Sequence, residues 1–82
     1  MPHFFYVYQL VSKRDESFRY RGIRRDLKAR LRKHNTGGCL HTAKYRPWKI
    51  ETAIAFRSEA KARLFEKYLK TGSGREFARR RF

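Results

Sequence analysis

Four side chains that can take part in hydrolysis follow one another at short spacings in the first half of the sequence. Tyr8 lies in an aromatic segment, Tyr20 comes two residues before Gly22, and Arg30 and His34 are four residues apart. Hydrolysis needs an activated water, stabilisation of developing negative charge and help for the leaving group. Phenol, imidazole and guanidinium groups can meet these needs, but each residue type is also common in ordinary strand and helix packing.

The overall charge indicates which substrates such chemistry would meet. The chain has 22 Lys and Arg against 7 Asp and Glu, which gives a formal net charge of +15 and a pI near 11.0. An excess of this size on a folded domain favours phosphate partners, above all nucleic acid, although acidic proteins and anionic membrane surfaces also attract cations. The basic residues that we expect to contact nucleic acid are Arg21, Arg24, Arg25, Lys44, Arg75, Arg79, Arg80 and Arg81.

Length and composition limit the architecture. A chain of 82 residues with 40% hydrophobic and 16% aromatic residues predicts one folded domain over residues 1–82 with a single modest core. The longest apolar stretch, residues 4–11, is far shorter than the roughly 20 residues of a membrane span. With one cysteine, Cys39, and no secretory pattern at the N-terminus, we expect a cytoplasmic protein without a disulfide.

The elements that position these side chains follow from hydrophobic periodicity and turn residues. The sequence predicts strands over 4–11, 18–21 and 48–56, with Trp48, Ile50, Ile54 and Phe56 on one face of the last strand. A helix over 24–34 places Leu27, Arg30, Leu31 and His34 on one face. A second helix begins after Ser58 and ends before Gly72, and a short terminal helix begins at the capping-box pattern of Ser73 to Glu76.

The ordered set of motifs resembles the GIY-YIG endonuclease family. In that family two strands end in Gly-Ile-Tyr and Tyr-Ile-Gly, an arginine follows the second tyrosine, and a glutamate lies on a later helix. Here Tyr6-Val7-Tyr8 and Tyr20-Arg21-Gly22 occupy the motif positions, Arg30 follows Tyr20 by ten residues, and Glu66 lies in the later helix. Tyr6 replaces a glycine, and Arg21 replaces an apolar residue and alternates away from Tyr20. The resemblance implies an α+β fold, a small three-stranded antiparallel sheet flanked by helices.

The resemblance also implies a role for each residue of the site. Glu66 would hold a single Mg²⁺ or Mn²⁺ ion, with water and substrate phosphate completing the coordination shell. Arg30 would bind the scissile phosphate through its planar fork. Tyr8 would act as the general base or orient the water, Tyr20 would support it by hydrogen bonding, and His34 would be accessory.

Simpler interpretations stand beside these roles. Glu66 can form an ordinary surface pair with Lys70 or Arg63, and His34 can be a core or helix-capping histidine. The whole chain can be a non-catalytic nucleic-acid-binding module on the same fold, or a cationic domain that binds acidic proteins. As an enzyme it is expected to cleave DNA rather than RNA, with any long-sequence specificity supplied by a partner protein or a homodimer.

Overall fold

The computed structural model describes residues 3–82 and confirms the α+β fold. The strands are β1 (Phe5–Ser12), β2 (Arg19–Arg24) and β3 (Trp48–Phe56), and the helices are α1 (Leu27–Asn35), α2 (Leu40–Ala43), α3 (Glu59–Tyr68) and α4 (Gly72–Arg81). The three strands form one antiparallel sheet in the order β2-β1-β3. Over residues 3–82, no helix has the length and apolar character needed to cross a membrane.

The central strand β1 is covered on both faces, as its aromatic and β-branched sequence predicts. Val7 faces a cluster that contains Ala62 of α3, Ala78 of α4 and Leu69, which caps the end of α3. Tyr8 faces the other way, into a cluster with Leu27 and Leu31 of α1. Because successive strand residues point to opposite faces, the sheet separates an α1 side from an α3–α4 side.

A β-bulge changes the pattern expected for β3. Leu10 pairs with Ile50 while Gln9 pairs with Thr52, so Glu51 is an extra residue on β3. An extra residue shifts the alternation of side chains by one position. Residues on either side of the bulge that would otherwise share a face then lie on opposite faces of the sheet. The expectation of one shared apolar face is therefore wrong, because the bulge divides its members into two pairs, Trp48 with Ile50 and Ile54 with Phe56.

Several element boundaries differ from the sequence-based expectation. Strand β2 continues through Gly22 to Arg24 because its ladder with β1 extends that far. Helix α1 begins only after Asp26, whose side chain accepts from the Ala29 backbone N–H at 3.0 Å. Thr71, rather than Ser73, caps α4, since its hydroxyl accepts from the Gly74 N–H at 3.1 Å.

Two further features of the helices bear on the prediction. Ser58 caps α3 as expected, because its hydroxyl accepts from the Lys61 N–H at 3.2 Å. The short helix α2 was not predicted from the sequence, and it lies between α1 and β3. It contributes the buried Thr42, which contacts His34.

Candidate active site

The β1–β2 ladder brings the two tyrosines to the same face of the sheet. Tyr8 pairs directly with Gly22, and Tyr20 pairs with Leu10 two positions away. The rings of Tyr8 and Tyr20 lie 6.4 Å apart between centroids. Tyr8 is only 2% exposed, and a Cβ placed on Gly22 would lie 2.7 Å from its hydroxyl oxygen. The missing side chain of Gly22 thus provides the space that the Tyr8 phenol occupies.

Helix α1 places Arg30 against both phenols. Burial opposes the charge of Arg30, but the phenol oxygens of Tyr20 and Tyr8 favour it, and the net effect raises the pKa of Arg30. Its buried Nε has no hydrogen-bond partner among residues 3–82. A buried guanidinium N–H without an acceptor is costly, so Arg30 is kept at this position for a reason other than stability.

Burial has the largest effect on the pKa of the Tyr8 phenol. Removal from water raises the pKa of the Tyr8 phenol, the Arg30 guanidinium lowers it, and Tyr20 raises it further. The net shift is upward, so the phenol is protonated at neutral pH. In this state Tyr8 is a hydrogen-bond donor, and its ionisation requires additional positive charge beside Arg30.

His34 lies one turn beyond Arg30 and is completely buried. Burial, followed by the charges of Arg30, Arg24 and Lys33, lowers the pKa of His34 to about 4. The imidazole is therefore neutral at physiological pH, which removes the favourable charge interaction of a helix-capping histidinium. Its Nδ1 lies 2.7 Å from Thr42 Oγ1, while Nε2 has no partner within the described chain.

Two hydrogen-bonded links hold this end of α1 in place. The Asn35 side chain accepts from the Trp48 N–H at 2.5 Å and donates to the Trp48 carbonyl at 3.1 Å, which ties α1 to β3. Trp48 Nε1 donates to the Thr42 carbonyl at 2.9 Å, so α2 is fixed beside His34. The ring of His34 packs 4.7 Å from that of Tyr20 between centroids. Asn35, Thr42 and Trp48 therefore position the histidine that the sequence singled out.

Glu66 approaches from the other side of the sheet. It belongs to α3, its side chain is 17% exposed, and its Oε2 lies 2.7 Å from Lys70 Nζ. Arg63, the other partner considered from helix spacing, binds Glu59 at 2.6 Å. Contact with Glu66 raises the pKa of Lys70, and the Tyr20 phenol adds a smaller contribution in the same direction. The Glu66–Lys70 pair is thus within electrostatic reach of the site.

The fit of a metal ion depends on this one carboxylate. Residues 3–82 contain no group of three or more His, Cys, Asp or Glu side chains arranged to bind an ion. A partly exposed carboxylate suits Mg²⁺, which takes hard oxygen ligands and retains several waters. Lys70 would have to release or share the carboxylate when a cation binds.

The predicted basic contacts divide between the two faces of the sheet. Arg24 lies on the tyrosine side, where its charge lowers the pKa of both Tyr8 and His34. Arg21 pairs with Gln9 and faces the opposite side, where the charge of Arg75 acts on it. Among the other predicted contacts, Arg25 lies over the Phe5 ring, Lys44 lies over the Tyr45 ring, Arg79 and Arg80 bind Glu76, and Arg81 is exposed at the end of α4.

The chain matches a protein-family model. A family model described as the GIY-YIG catalytic domain matches residues 4–80, which is nearly the whole chain. Searches among curated proteins and among solved structures found no match. The matched domain is a nuclease domain, and a nuclease acts on nucleic acid. The chain belongs to the GIY-YIG family.

Proposed function

We propose that this protein is a divalent-metal-dependent endonuclease that hydrolyses phosphodiester bonds, in DNA rather than RNA. The observation that carries the proposal is the placement of Arg30 against Tyr8 and Tyr20 with its buried Nε lacking an acceptor. A phosphate oxygen is the acceptor that a guanidinium fork binds best. The choice of DNA follows from the resemblance to endonucleases and is tested directly below.

Arg30 binds the scissile phosphate and stabilises the negative charge that develops during attack by water. Tyr8 orients the attacking water through its protonated hydroxyl. Tyr20, on the neighbouring strand β2, helps to hold the phosphate by hydrogen bonding. His34 is neutral and buried, and its ring packs against Tyr20, so it positions that phenol. Glu66 would hold Mg²⁺ or Mn²⁺, which supplies further charge stabilisation and lowers the pKa of a bound water.

One observation favours a second candidate, a nucleic-acid-binding module without activity. Lys70 Nζ lies 2.7 Å from the only carboxylate that we assign to the metal. A persistent ion pair at this position would compete with a cation for Glu66. Arg21 in place of the apolar centre of the second motif is a further departure from the family pattern. This module would bind nucleic acid without cleaving it.

A cleavage assay distinguishes the two candidates. Labelled single-stranded, duplex and branched DNA, together with RNA, would be incubated with the protein in Mg²⁺, Mn²⁺ or EDTA. We expect DNA cleavage with either metal and none in EDTA, and loss of cleavage in a folded Arg30→Ala variant. Tight binding without cleavage of any substrate would establish the binding module, and cleavage that persists in Arg30→Ala would place the reaction elsewhere.

A further inference from the structure

A basic pocket lies on the sheet face opposite the two tyrosines. It has a volume of about 220 Å³, and the polar side chains that line it are Gln9, Arg19, Arg21 and Arg79. Gln9 pairs with Arg21 across the β1–β2 ladder, one position from Tyr8 and Tyr20. Because side chains alternate along a strand, this pocket is separated from Arg30 and His34 by the sheet itself.

The pocket is built around a buried amide. Gln9 is 2% exposed, and its Oε1 accepts a hydrogen bond from Arg21 Nε while its Nε2 donates to Glu51 Oε1 at 2.6 Å. Glu51 also accepts from Arg19 Nε at 3.0 Å. Both arginines are therefore held in place by fixed partners, with little rotamer freedom left to lose on binding a ligand.

The bonding pattern leaves donors for a ligand. Arg21 is engaged through Nε, and no described residue accepts from its two terminal nitrogens. Arg79 binds Glu76 on the same helix and lines the same pocket. Arg21 leaves both terminal nitrogens, and Arg79 leaves one, for an anion with several oxygens, such as a phosphate.

The electrostatics point in the same direction. Burial, followed by the charges of Arg19 and Arg75, lowers the pKa of Arg21, and Glu51 only partly opposes this. Arg21 thus lies in an excess of positive charge that the nearby carboxylate does not balance. An anion bound in the pocket would relieve this repulsion.

We propose that this pocket binds a backbone phosphate of the nucleic acid, some distance along the chain from the bond held by Arg30. Strand β2 is at the edge of the sheet, and its consecutive residues Tyr20 and Arg21 face opposite sides. A nucleic-acid strand that crosses this edge contacts both the tyrosine face and the pocket. The inference rests on the proposed nucleic-acid substrate but not on its cleavage.

Salt dependence of binding tests the pocket. Binding of a labelled DNA oligonucleotide would be followed by fluorescence anisotropy over a series of salt concentrations, in EDTA so that no metal-dependent cleavage occurs. Arg21→Gln and Arg79→Gln remove pocket charges, and Lys61→Gln removes one charge from an exposed site on α3 outside the pocket. The slope of log K against log salt is negative, and we expect its magnitude to decrease by about 0.7–0.9 in each pocket variant, which corresponds to one phosphate contact. In Lys61→Gln the slope should remain unchanged.

One outcome would refute the phosphate pocket, and another would refute the endonuclease activity. If folded Arg21→Gln and Arg79→Gln retain the wild-type slope, or lose no more than Lys61→Gln, the phosphate pocket is wrong whether or not the protein cleaves DNA. Because Arg79 is exposed, Arg79→Gln keeps the test valid even if Arg21→Gln fails to fold. A reduced slope in both pocket variants without any cleavage by the wild type would retain the pocket and refute the endonuclease.

Discussion

Gly22 lies directly opposite Tyr8 in the β1–β2 ladder, and the Tyr8 hydroxyl occupies the space that a side chain on Gly22 would fill. This relationship places the phenol of the central strand against Gly22 of β2, where it interacts with Arg30. Gly22, the glycine of the second motif, therefore leaves space for Tyr8, the tyrosine of the first motif. Its function is steric, because nothing about its backbone conformation requires a left-handed φ.

Substitution of Gly22 tests this relationship. In Gly22→Ala the new Cβ meets the end of the Tyr8 ring, which can swing away, so the fold is expected to survive while the hydroxyl moves. A displacement near 1 Å at a reacting group can reduce rate by about 100-fold. Single-turnover cleavage would measure the loss, with circular dichroism confirming the fold. Wild-type rates in Gly22→Ala would show that the position of Tyr8 is unimportant.

A second prediction concerns the planar shape of the Arg30 guanidinium in addition to its charge. Arg30→Lys keeps the positive charge but replaces a planar fork with a point charge, so we expect cleavage to fall by about 100–1,000-fold. Arg32→Lys is the matched control, because Arg32 is exposed on the same helix. The rate constants of both variants at saturating protein would be compared. A modest loss equal to that of Arg32→Lys would mean that charge alone suffices.

The buried His34 predicts a pH dependence of stability. The unfolded histidine binds a proton near its ordinary pKa of 6.5, whereas in the folded protein its pKa is about 4. Since the unfolded state then binds more protons, the free energy of unfolding falls as pH drops from 6.5 towards 4, by up to about 3 kcal/mol. Above pH 6.5 His34 is neutral in both the folded and the unfolded protein, so its protonation no longer lowers the free energy of unfolding.

Denaturant unfolding at several pH values measures this effect. In His34→Asn, which keeps an amide near Thr42, the decline in stability between pH 6.5 and about 5 should be shallower than in the wild type. Arg30, Arg24 and Lys33 supply the positive charges that oppose protonation of His34. Equal slopes for wild type and His34→Asn would contradict the depressed pKa.

The junction between α3 and α4 depends on a second glycine. A Cβ on Gly74 would collide with the backbone carbonyl of Tyr68, whereas a Cβ on Gly72 meets nothing nearby. We expect Gly74→Ala to destabilise the protein by about 1–3 kcal/mol through overpacking, and Gly72→Ala to be neutral or stabilising by up to about 1 kcal/mol. Thermal unfolding of the two variants gives the comparison. If both alanine variants were equally stable, the close approach of α4 to α3 would be refuted.

Local sequence patterns predicted much of the fold. The alternation in β1, the spacing of Arg30 and His34, and the Ser58 cap all depend on neighbours within one element, and the structure has each of them. The family resemblance, which covers nearly the whole chain, gave the arrangement of the sheet and helices, and the family match supports it. Interactions along a single helix or strand are the ones that periodicity records.

The features that the sequence did not predict depend on contacts between residues far apart in the chain. The bulge at Glu51 exists only in the register with β1, so alternation within β3 could not reveal it. Helix α2 is a single turn, too short for a helical period, and Thr42 reaches His34 only because Trp48 and Asn35 fix this region. The division of the basic residues between two sheet faces likewise required the strand order.

The most direct test of the central claim is metal-dependent cleavage by Glu66→Gln. Cleavage rates would be measured over a Mg²⁺ titration for wild type, Glu66→Gln and Glu59→Gln, a control on the same helix whose carboxylate pairs with Arg63. We expect folded Glu66→Gln to lose cleavage at all Mg²⁺ concentrations, while Glu59→Gln behaves as wild type. Wild-type cleavage and metal dependence in Glu66→Gln would contradict it.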